Sequence, residues 1–226
     1  MSDELVVLNK PKSNISEDIR TIRTNLKFTA NSSQTTTILV TSSIPGEGKS
    51  FISSNLGVAF AKTDELTVIV DSDLRLGRIH KIFDVSNEIG LSNMLVEEDI
   101  TEYPRYLRRT EIPNLYVIPR GTVPPNPSEL LNSSNMDRIL SLLKKSFDNI
   151  IFDGVPINGL PDSLIVADIV DRVVLVTKAN STKLDELNDA KKALNKIKAS
   201  IAGVVINNIS KNKRGKYYKY YGYTKE

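Results

Sequence analysis

Cysteine is absent from this chain of 226 residues, and histidine occurs once, as His80. The first absence excludes a disulfide framework and thiolate metal ligands; the second leaves a histidine-built metal centre without ligands. Long apolar runs are missing too. Nothing approaches the roughly 20 residues that span a bilayer, and the opening MSDELVVLNKPKS has an apolar run of only Leu5 to Leu8, so it is not read as a signal peptide. The expected location is therefore the cytoplasm. Net charge is small: 30 Lys and Arg against 27 Asp and Glu leave +3, too little to argue for a nucleic-acid partner. What basic excess exists lies at the end. Residues 211–226 hold Lys211, Lys213, Arg214, Lys216, Lys219 and Lys225 against one acid, Glu226. Among them stand Tyr217, Tyr218, Tyr220, Tyr221 and Tyr223, which a segment of this length cannot bury in a core of its own.

What is present is an alternation. Residues 35–43, 66–71, 114–121, 149–154, 172–179 and 201–208 are continuous apolar runs rich in Val and Ile, as strands buried on both faces are. Helix-like segments lie between them at 49–62, about 128–146, 161–168 and 183–198. Strand and helix in turn imply right-handed crossovers and an α/β fold: a doubly wound, mostly parallel sheet with helices on both faces. Before the first strand, SEDIRTIRTNLKF (16–28) predicts a helix over about 16–30, with Ser16 as its N-cap. Residues 1–209 are expected to form one domain, and 210–226, which lack apolar periodicity, a flexible tyrosine-rich tail.

SSIPGEGKS (42–50) follows the first strand and opens a helix, which is where a phosphate-binding loop belongs. Gly46 and Gly48 permit the tight turn whose backbone N–H groups wrap phosphate oxygens. Lys49 can reach the β- and γ-phosphates, and Ser50 can place its hydroxyl on Mg²⁺. Ser43 stands where the first glycine of the strict motif would be. The predicted nucleotide-binding stretch is Ser43, Pro45, Gly46, Glu47, Gly48, Lys49, Ser50 and Phe51. VIVDSDLR (68–75) ends the second strand with Asp71 and Asp73, and NIIFDG (149–154) ends another with Asp153. Acids at the carboxyl ends of parallel strands face the crevice where such sheets bind ligands. Taken singly, each aspartate could be a helix cap; three converging on one loop favour a nucleotide and metal site. Ser50, Asp71 and Asp153 are the predicted metal ligands, with ATP and Mg²⁺ the expected cofactors.

With these motifs in view the sequence resembles the bacterial tyrosine kinases of polysaccharide export, the BY-kinases, within the P-loop ATPases that include MinD and ParA. The likeness rests on SSIPGEGKS as Walker A, VIVDSDLR as the additional Walker A′ and IIFDGVP as Walker B, with GTVPPNPSELL (121–131) between the last two. Glu17, Arg20 and Arg23 match the family's E-x-x-R-x-x-R oligomerisation motif, and the terminal tyrosines match its autophosphorylation cluster. The resemblance implies an ATP-dependent protein-tyrosine kinase. Lys49 would neutralise phosphate charge, Asp71 accept or orient the tyrosine hydroxyl, Asp73 support it, and Arg75 stabilise transferring charge. Asn207 or Asn208 would meet the adenine edge. The same resemblance implies a homo-oligomeric ring that phosphorylates Tyr217 to Tyr223 in trans, a membrane chain-length regulator as activator, a tyrosine phosphatase, and a place at the inner face of the cell membrane through that partner. No nucleic acid is expected.

Two departures stand out. Leu76 and Gly77 replace the basic residue and proline that usually follow the A′ arginine, and Gly154-Val155 interrupts the usual D-T-P-P of Walker B. The lost threonine predicts a weakened magnesium or phosphate contact, although Lys49, Ser50, Asp71 and Asp73 are intact and an active enzyme is expected. The competing reading is a positioning ATPase of the MinD/ParA type. Those proteins carry a second lysine near the start of the loop, where this chain has Ile44. His80 has no evident chemistry, and a local structural role is expected.

Overall fold

A computed structural model of the chain describes residues 2–29 and 35–209. It contains a seven-stranded sheet: β1 (Thr36–Ser42), β2 (Thr67–Asp71), β3 (Arg108–Arg109), β4 (Leu115–Ile118), β5 (Asn149–Pro156), β6 (Arg172–Lys178) and β7 (Ile201–Asn207). The spatial order is β3-β4-β2-β5-β1-β6-β7. All pairs are parallel except the antiparallel edge pair β3–β4. The doubly wound sheet read from the sequence is thus the observed one. The two-residue β3 was not anticipated, because two arginines at a sheet edge carry no apolar signal.

Nine α-helices are present among the described residues: α1 (Val6–Asn9), α2 (Asn14–Thr29), α3 (Lys49–Ala61), α4 (Ile79–Phe83), α5 (Leu91–Leu95), α6 (Pro127–Leu131), α7 (Ser134–Ser146), α8 (Asp162–Ile169) and α9 (Leu184–Lys196). β1, β2, β4, β5 and β6 are largely buried on both sides, so successive residues feed two different cores; β7, expected from 201–208 to be equally buried, is instead an edge strand with Val204 48% and Ile206 55% exposed. Ile38, Val40, Ile69, Ile151 and Val174 pack with α1 to α4. Leu39, Val68, Val70, Ile150, Phe152 and Leu175 pack with α5 and α7 to α9. Each such side chain, removed wholly from water, contributes about 1.5–3 kcal/mol of transfer free energy.

Three expectations need local correction. The segment 128–146 is two helices, broken at Asn132–Ser133, with Pro127 starting the first, where its fixed φ suits a first helical turn. Ser16 is not an N-cap. It lies inside α2, fully buried, and donates to the carbonyls of Val6 (3.2 Å) and Lys10 (2.7 Å), while Ser13 Oγ accepts the Ser16 N–H as a cap would. The short helices α1, α4 and α5 were invisible because four or five residues are too few to display a 3.6-residue period. The expected tail, 210–226, lies outside the described residues.

A candidate phosphoryl-transfer site at the ends of β1, β2 and β5

The topology places β1 between β5 and β6, and β5 between β1 and β2. The loops leaving β1, β2 and β5 therefore open side by side at one end of the sheet. The loop after β1 turns through Gly46 (φ 79°) and Gly48 (φ 98°) before α3 begins at Lys49. A methyl group at Gly48 would stand 2.2 Å from Asn207 Nδ2, so glycine is needed there for approach as well as for conformation. Asn207, at the end of β7, donates to the Glu47 carbonyl (2.9 Å) and ties the loop to the sheet. The sequence left Asn207 and Asn208 equivalent. The structure separates them: Asn207 braces the loop, whereas Asn208 is exposed with φ 59°.

Glu47 points inward, 1% exposed. It accepts the Ile44 N–H (2.9 Å) and the Lys178 N–H (3.3 Å), and pairs with the Thr182 hydroxyl. It is a brace under the loop, and an acceptor-only carboxylate turned inward offers phosphate no donor. Phe51 packs against the apolar cluster beneath α2 and α3, so only its backbone belongs to the loop. Pro45 is exposed at the loop's crest, and Ser43 has a fully buried hydroxyl with no protein partner.

Across from the loop, Asp71 and Asp153 are register partners on β2 and β5. Ser50 Oγ donates to Asp153 Oδ2 (2.7 Å) and Ser53 Oγ to Asp153 Oδ1 (3.0 Å). Ser53 was not singled out in the sequence, though its place one turn beyond Ser50 puts both hydroxyls on one helix face. Asp71 Oδ2 accepts the Ile79 N–H (3.0 Å); its Oδ1 is buried and unpartnered. Burial, and then the charge of Asp153, hold the Asp71 carboxyl well above the usual carboxylate range. Asp153 is pushed up to about 6, chiefly by burial, against the opposing pull of Ser50, Lys49 and Ser53. Two buried carboxylates side by side, both with raised pKa and one with an oxygen lacking any donor, fit a divalent cation. Among the described residues no group of three or more His, Cys, Asp or Glu is placed to hold a metal by itself, so phosphate oxygens would have to complete the shell.

Asp73 sits in the loop after β2 and accepts the N–H groups of Leu76 (2.8 Å) and Arg75 (3.2 Å), so it caps that loop. Arg75 Nε donates to Asp162 Oδ2 at 2.9 Å. Gly77 occupies the family's proline position for a visible reason: its N–H donates to the Asp73 carbonyl (2.8 Å), which proline could not do, and a Cβ there would lie 2.3 Å from Asp71 Oδ1. At Gly154 an added Cβ would point at Ser163 Oγ (2.5 Å) and Leu39 Cδ1 (2.7 Å). That direction leads under α8, away from Ser50, and Ser163 already fills the space while donating to the Val155 carbonyl (2.7 Å). His80 borders the site; burial and then the charges of Arg120 and Lys81 lower its pKa, and its Nδ1 is buried without a partner.

Glu17, Arg20 and Arg23 fall elsewhere. Arg20 pairs with Glu17 and donates to the Pro11 carbonyl (2.7 Å), while Arg23 Nη1 donates to the Ala59 carbonyl (2.8 Å). Ala59 is ten residues along α3 from Lys49, about 15 Å by helical rise. Tyr217, Tyr218, Tyr220, Tyr221 and Tyr223 lie outside the described residues.

No family model matches the chain. Individual proteins do. It is 34% identical to the tyrosine-protein kinase YwqD of Bacillus subtilis over 98% of this chain and 92% of that one. It is 38% identical to CapB of Staphylococcus aureus over 96% of this chain and 95% of that one. The chain belongs to the bacterial tyrosine-kinase family. Its fold agrees with that of the chimerical protein CapA2B2, at a TM-score of 0.87 and 36% identity, covering 93% of this chain and 92% of that one. The MinD cell-division ATPase of Pyrococcus furiosus, at 22% identity and a TM-score of 0.64 over 81% of this chain and 79% of that one, shares the fold alone. The kinase is thus a P-loop protein of the MinD-like architecture, with the Lys49, Asp71 and Asp153 constellation at the ends of β1, β2 and β5.

Proposed function

We propose that this kinase transfers the γ-phosphoryl group of ATP to the tyrosines of a neighbouring copy, at Tyr217, Tyr218, Tyr220, Tyr221 and Tyr223. The observation that carries the reading is the buried Asp71–Asp153 pair, set against Ser50 and Lys49 with Asp71 Oδ1 unpartnered. Bound ATP·Mg²⁺ would supply the phosphoryl group and the divalent charge that this pair calls for. Lys49 and the N–H groups of residues 46–50 would hold the β- and γ-phosphates, and Ser50 with Asp153 would hold the metal. Asp71 is the residue to accept the phenol proton. An ordinary tyrosine has a pKa near ~10, and a carboxylate whose own pKa is raised is a better base toward it. Asp73 fixes the loop that follows Asp71, and Arg75 adds positive charge on that side. Asn208 is the more available of the two asparagines for the adenine edge.

Glu17, Arg20 and Arg23 are assigned to the contact between subunits of a ring, which would bring one copy's tyrosines to the next copy's site. Among the described residues no helix is long and apolar enough to cross a membrane. A membrane chain-length regulator with a cytoplasmic segment is proposed as the activator, holding the kinase at the inner membrane face; a two-part chimera among the solved relatives is in keeping with such a partner. A tyrosine phosphatase would reverse the reaction, and the cycle would regulate capsule or exopolysaccharide polymerisation and export.

The test is labelling with ATP·Mg²⁺ followed by mass spectrometry. Lys49→Met is expected to abolish phosphate incorporation while leaving the fold intact by circular dichroism. Labelling at the wild-type rate would remove Lys49, and with it this site, from the reaction.

A further inference from the structure

The loop leaving β2, residues 72–78, is held by side chains from four other parts of the chain, Glu4 on Arg78 among them. Arg75 Nε donates to Asp162 Oδ2 at 2.9 Å and Nη2 to Asp162 Oδ1 at 3.4 Å, so one carboxylate takes the guanidinium on two prongs. Asp162 is the first residue of α8 and is 1% exposed, whereas the Arg75 side chain is 37% exposed. Asp162 Oδ1 also accepts the hydroxyl of Ser128, the second residue of α6. On the other side, Arg120 Nη1 donates to the Arg75 carbonyl at 2.7 Å. Inside the loop, Asp73 accepts the Arg75 N–H. Arg75 is thereby fixed at its amide, its carbonyl and its guanidinium.

The burial asymmetry tells which partner is the anchor. A carboxylate sealed from water keeps its charge only if it is paired and hydrogen-bonded, so Asp162 is committed to Arg75 and Ser128. An arginine left to itself samples many rotamers; two-pronged pairing to a fixed planar acceptor leaves essentially one. The PPNPSELL stretch then has a physical task, because Pro127 at the first position of α6 sets the backbone that delivers Ser128 to Asp162.

We infer that Asp162, assisted by Ser128, is a positioning residue of this kinase: it fixes the Arg75 guanidinium, and through Arg75 the loop that carries Asp73 beside Asp71. Phosphoryl transfer then depends on a carboxylate that touches neither nucleotide nor tyrosine. The inference rests on the reading that the loop after β2 belongs to the phosphoryl-transfer site.

The experiment is a double-mutant cycle on the full chain. Asp162→Asn, Arg75→Gln and the pair are assayed with a tyrosine-containing peptide as phosphate acceptor, with ATP varied and melting temperatures recorded alongside. Asp162→Asn keeps the shape and loses the charge. It is expected to lower kcat about 10- to 100-fold, the penalty of a misplaced site group, with the KM for ATP within about twofold. In the Arg75→Gln background the same change is expected to lower kcat no further, because residues acting as one unit are not additive. Wild-type kcat in Asp162→Asn, or losses that multiply in the double mutant, would overturn the inference. Should Asp162→Asn fail to fold, Ser128→Ala serves: a fall of a few-fold in kcat that vanishes in Arg75→Gln supports it, and an unchanged kcat overturns it. Lys49→Met keeps the two claims apart, since labelling by that variant at the wild-type rate defeats the site assignment whatever Asp162 does.

Discussion

At the scale of single residues, the site is built against its own stability. Burial beside Asp71 pushes the Asp153 carboxyl up from its ordinary 3.8 to about 6. A carboxyl whose folded pKa is raised stabilises the fold fully only below its unfolded pKa, and the contribution fades as pH rises through the folded value. Two pKa units correspond to about 3 kcal/mol, so at neutral pH without metal the ionised Asp153 costs the fold on the order of that amount. Asp153→Asn is therefore expected to melt higher than the wild type at pH 7.5 in a chelator. The gap should shrink as pH falls toward 5, where wild-type Asp153 is protonated. Calorimetric melts across that range check it; a mutant less stable than the wild type at pH 7.5 would show that the Ser50 and Ser53 hydrogen bonds outweigh the desolvation. The packing next to it explains the tolerance of Gly154. Position 154 faces Ser163 and Leu39, so the threonine usual there would crowd α8 and would not add a hydroxyl beside Ser50.

At the scale of elements, α2 is the informative case. Its Ile19 and Leu26 are buried against the α3 side of the sheet, and this fixes which residues turn outward. Arg20 and Arg23 share a face, yet they do different work within the chain. Arg20 pairs with Glu17, whose side chain is 59% exposed, and exposed pairs of this kind contribute about 0.2–1 kcal/mol. Arg23 reaches a main-chain carbonyl of α3. Arg20→Ala gives up only exposed partners, Glu17 and the Pro11 carbonyl, and is expected to cost no more than about 1 kcal/mol in urea, whereas Arg23→Ala loses a part-buried hydrogen bond with a charged donor, worth about 1.5–3 kcal/mol. If α2 also joins subunits, the double alanine variant should run as a monomer by light scattering and label more slowly in trans. An unchanged oligomer would leave these arginines to their intrachain roles. The helix between 14 and 29 was legible from its charge and apolar spacing. Its true start was not, because choosing Ser13 over Ser16 depends on where Val6 and Lys10 place their carbonyls.

At the scale of the whole molecule, the proposed site is acidic and the segment 211–226 is basic. Residues 211–226 carry six basic side chains and one acidic one, 6 − 1 = +5 before the terminal carboxylate. The proposed site presents Asp71, Asp73 and Asp153 together with whatever phosphate it holds. Each phosphotyrosine adds about −1.5 to −2, so five would add roughly −7.5 to −10 and reverse the sign of that segment. Phosphorylation is then expected to weaken the association of one copy's terminus with the next copy's site and to reduce oligomer size. Mass spectrometry paired with size-exclusion chromatography after incubation with ATP·Mg²⁺ reads both quantities. Phosphate missing from Tyr217 to Tyr223 would defeat the substrate claim, and full phosphorylation with unchanged size would defeat the switch.

What the sequence by itself determined is everything local. The apolar runs marked six of the seven strands: β1, β2, β4, β5 and β6 because strands buried on both faces have no polar side to hide their signal, and β7 although most of its side chains are exposed. Gly46, Gly48, Lys49 and Ser50 marked the phosphate loop, because a tight turn, a cation and a hydroxyl must follow a strand in that order. The alternation of strand and helix gave the doubly wound class. Only the tertiary structure decided which polar residues are free to act on a ligand. Glu47 reads as a loop residue and proves to be a buried brace, since Ile44, Lys178 and Thr182 converge on it from segments more than 130 positions apart. Asn207 and Asn208 are indistinguishable as letters, and the end of β7 turns one of them onto the loop. Asp162 carries no motif of its own, and Ser128, though it lies in GTVPPNPSELL, had no role to read from the letters. They become partners of Arg75 because the sheet order sets β2 beside β5, and α6 and α8 close over the same corner. Hydrogen-bond partners drawn from distant parts of a chain are a property of packing, and no spacing rule along the sequence encodes them.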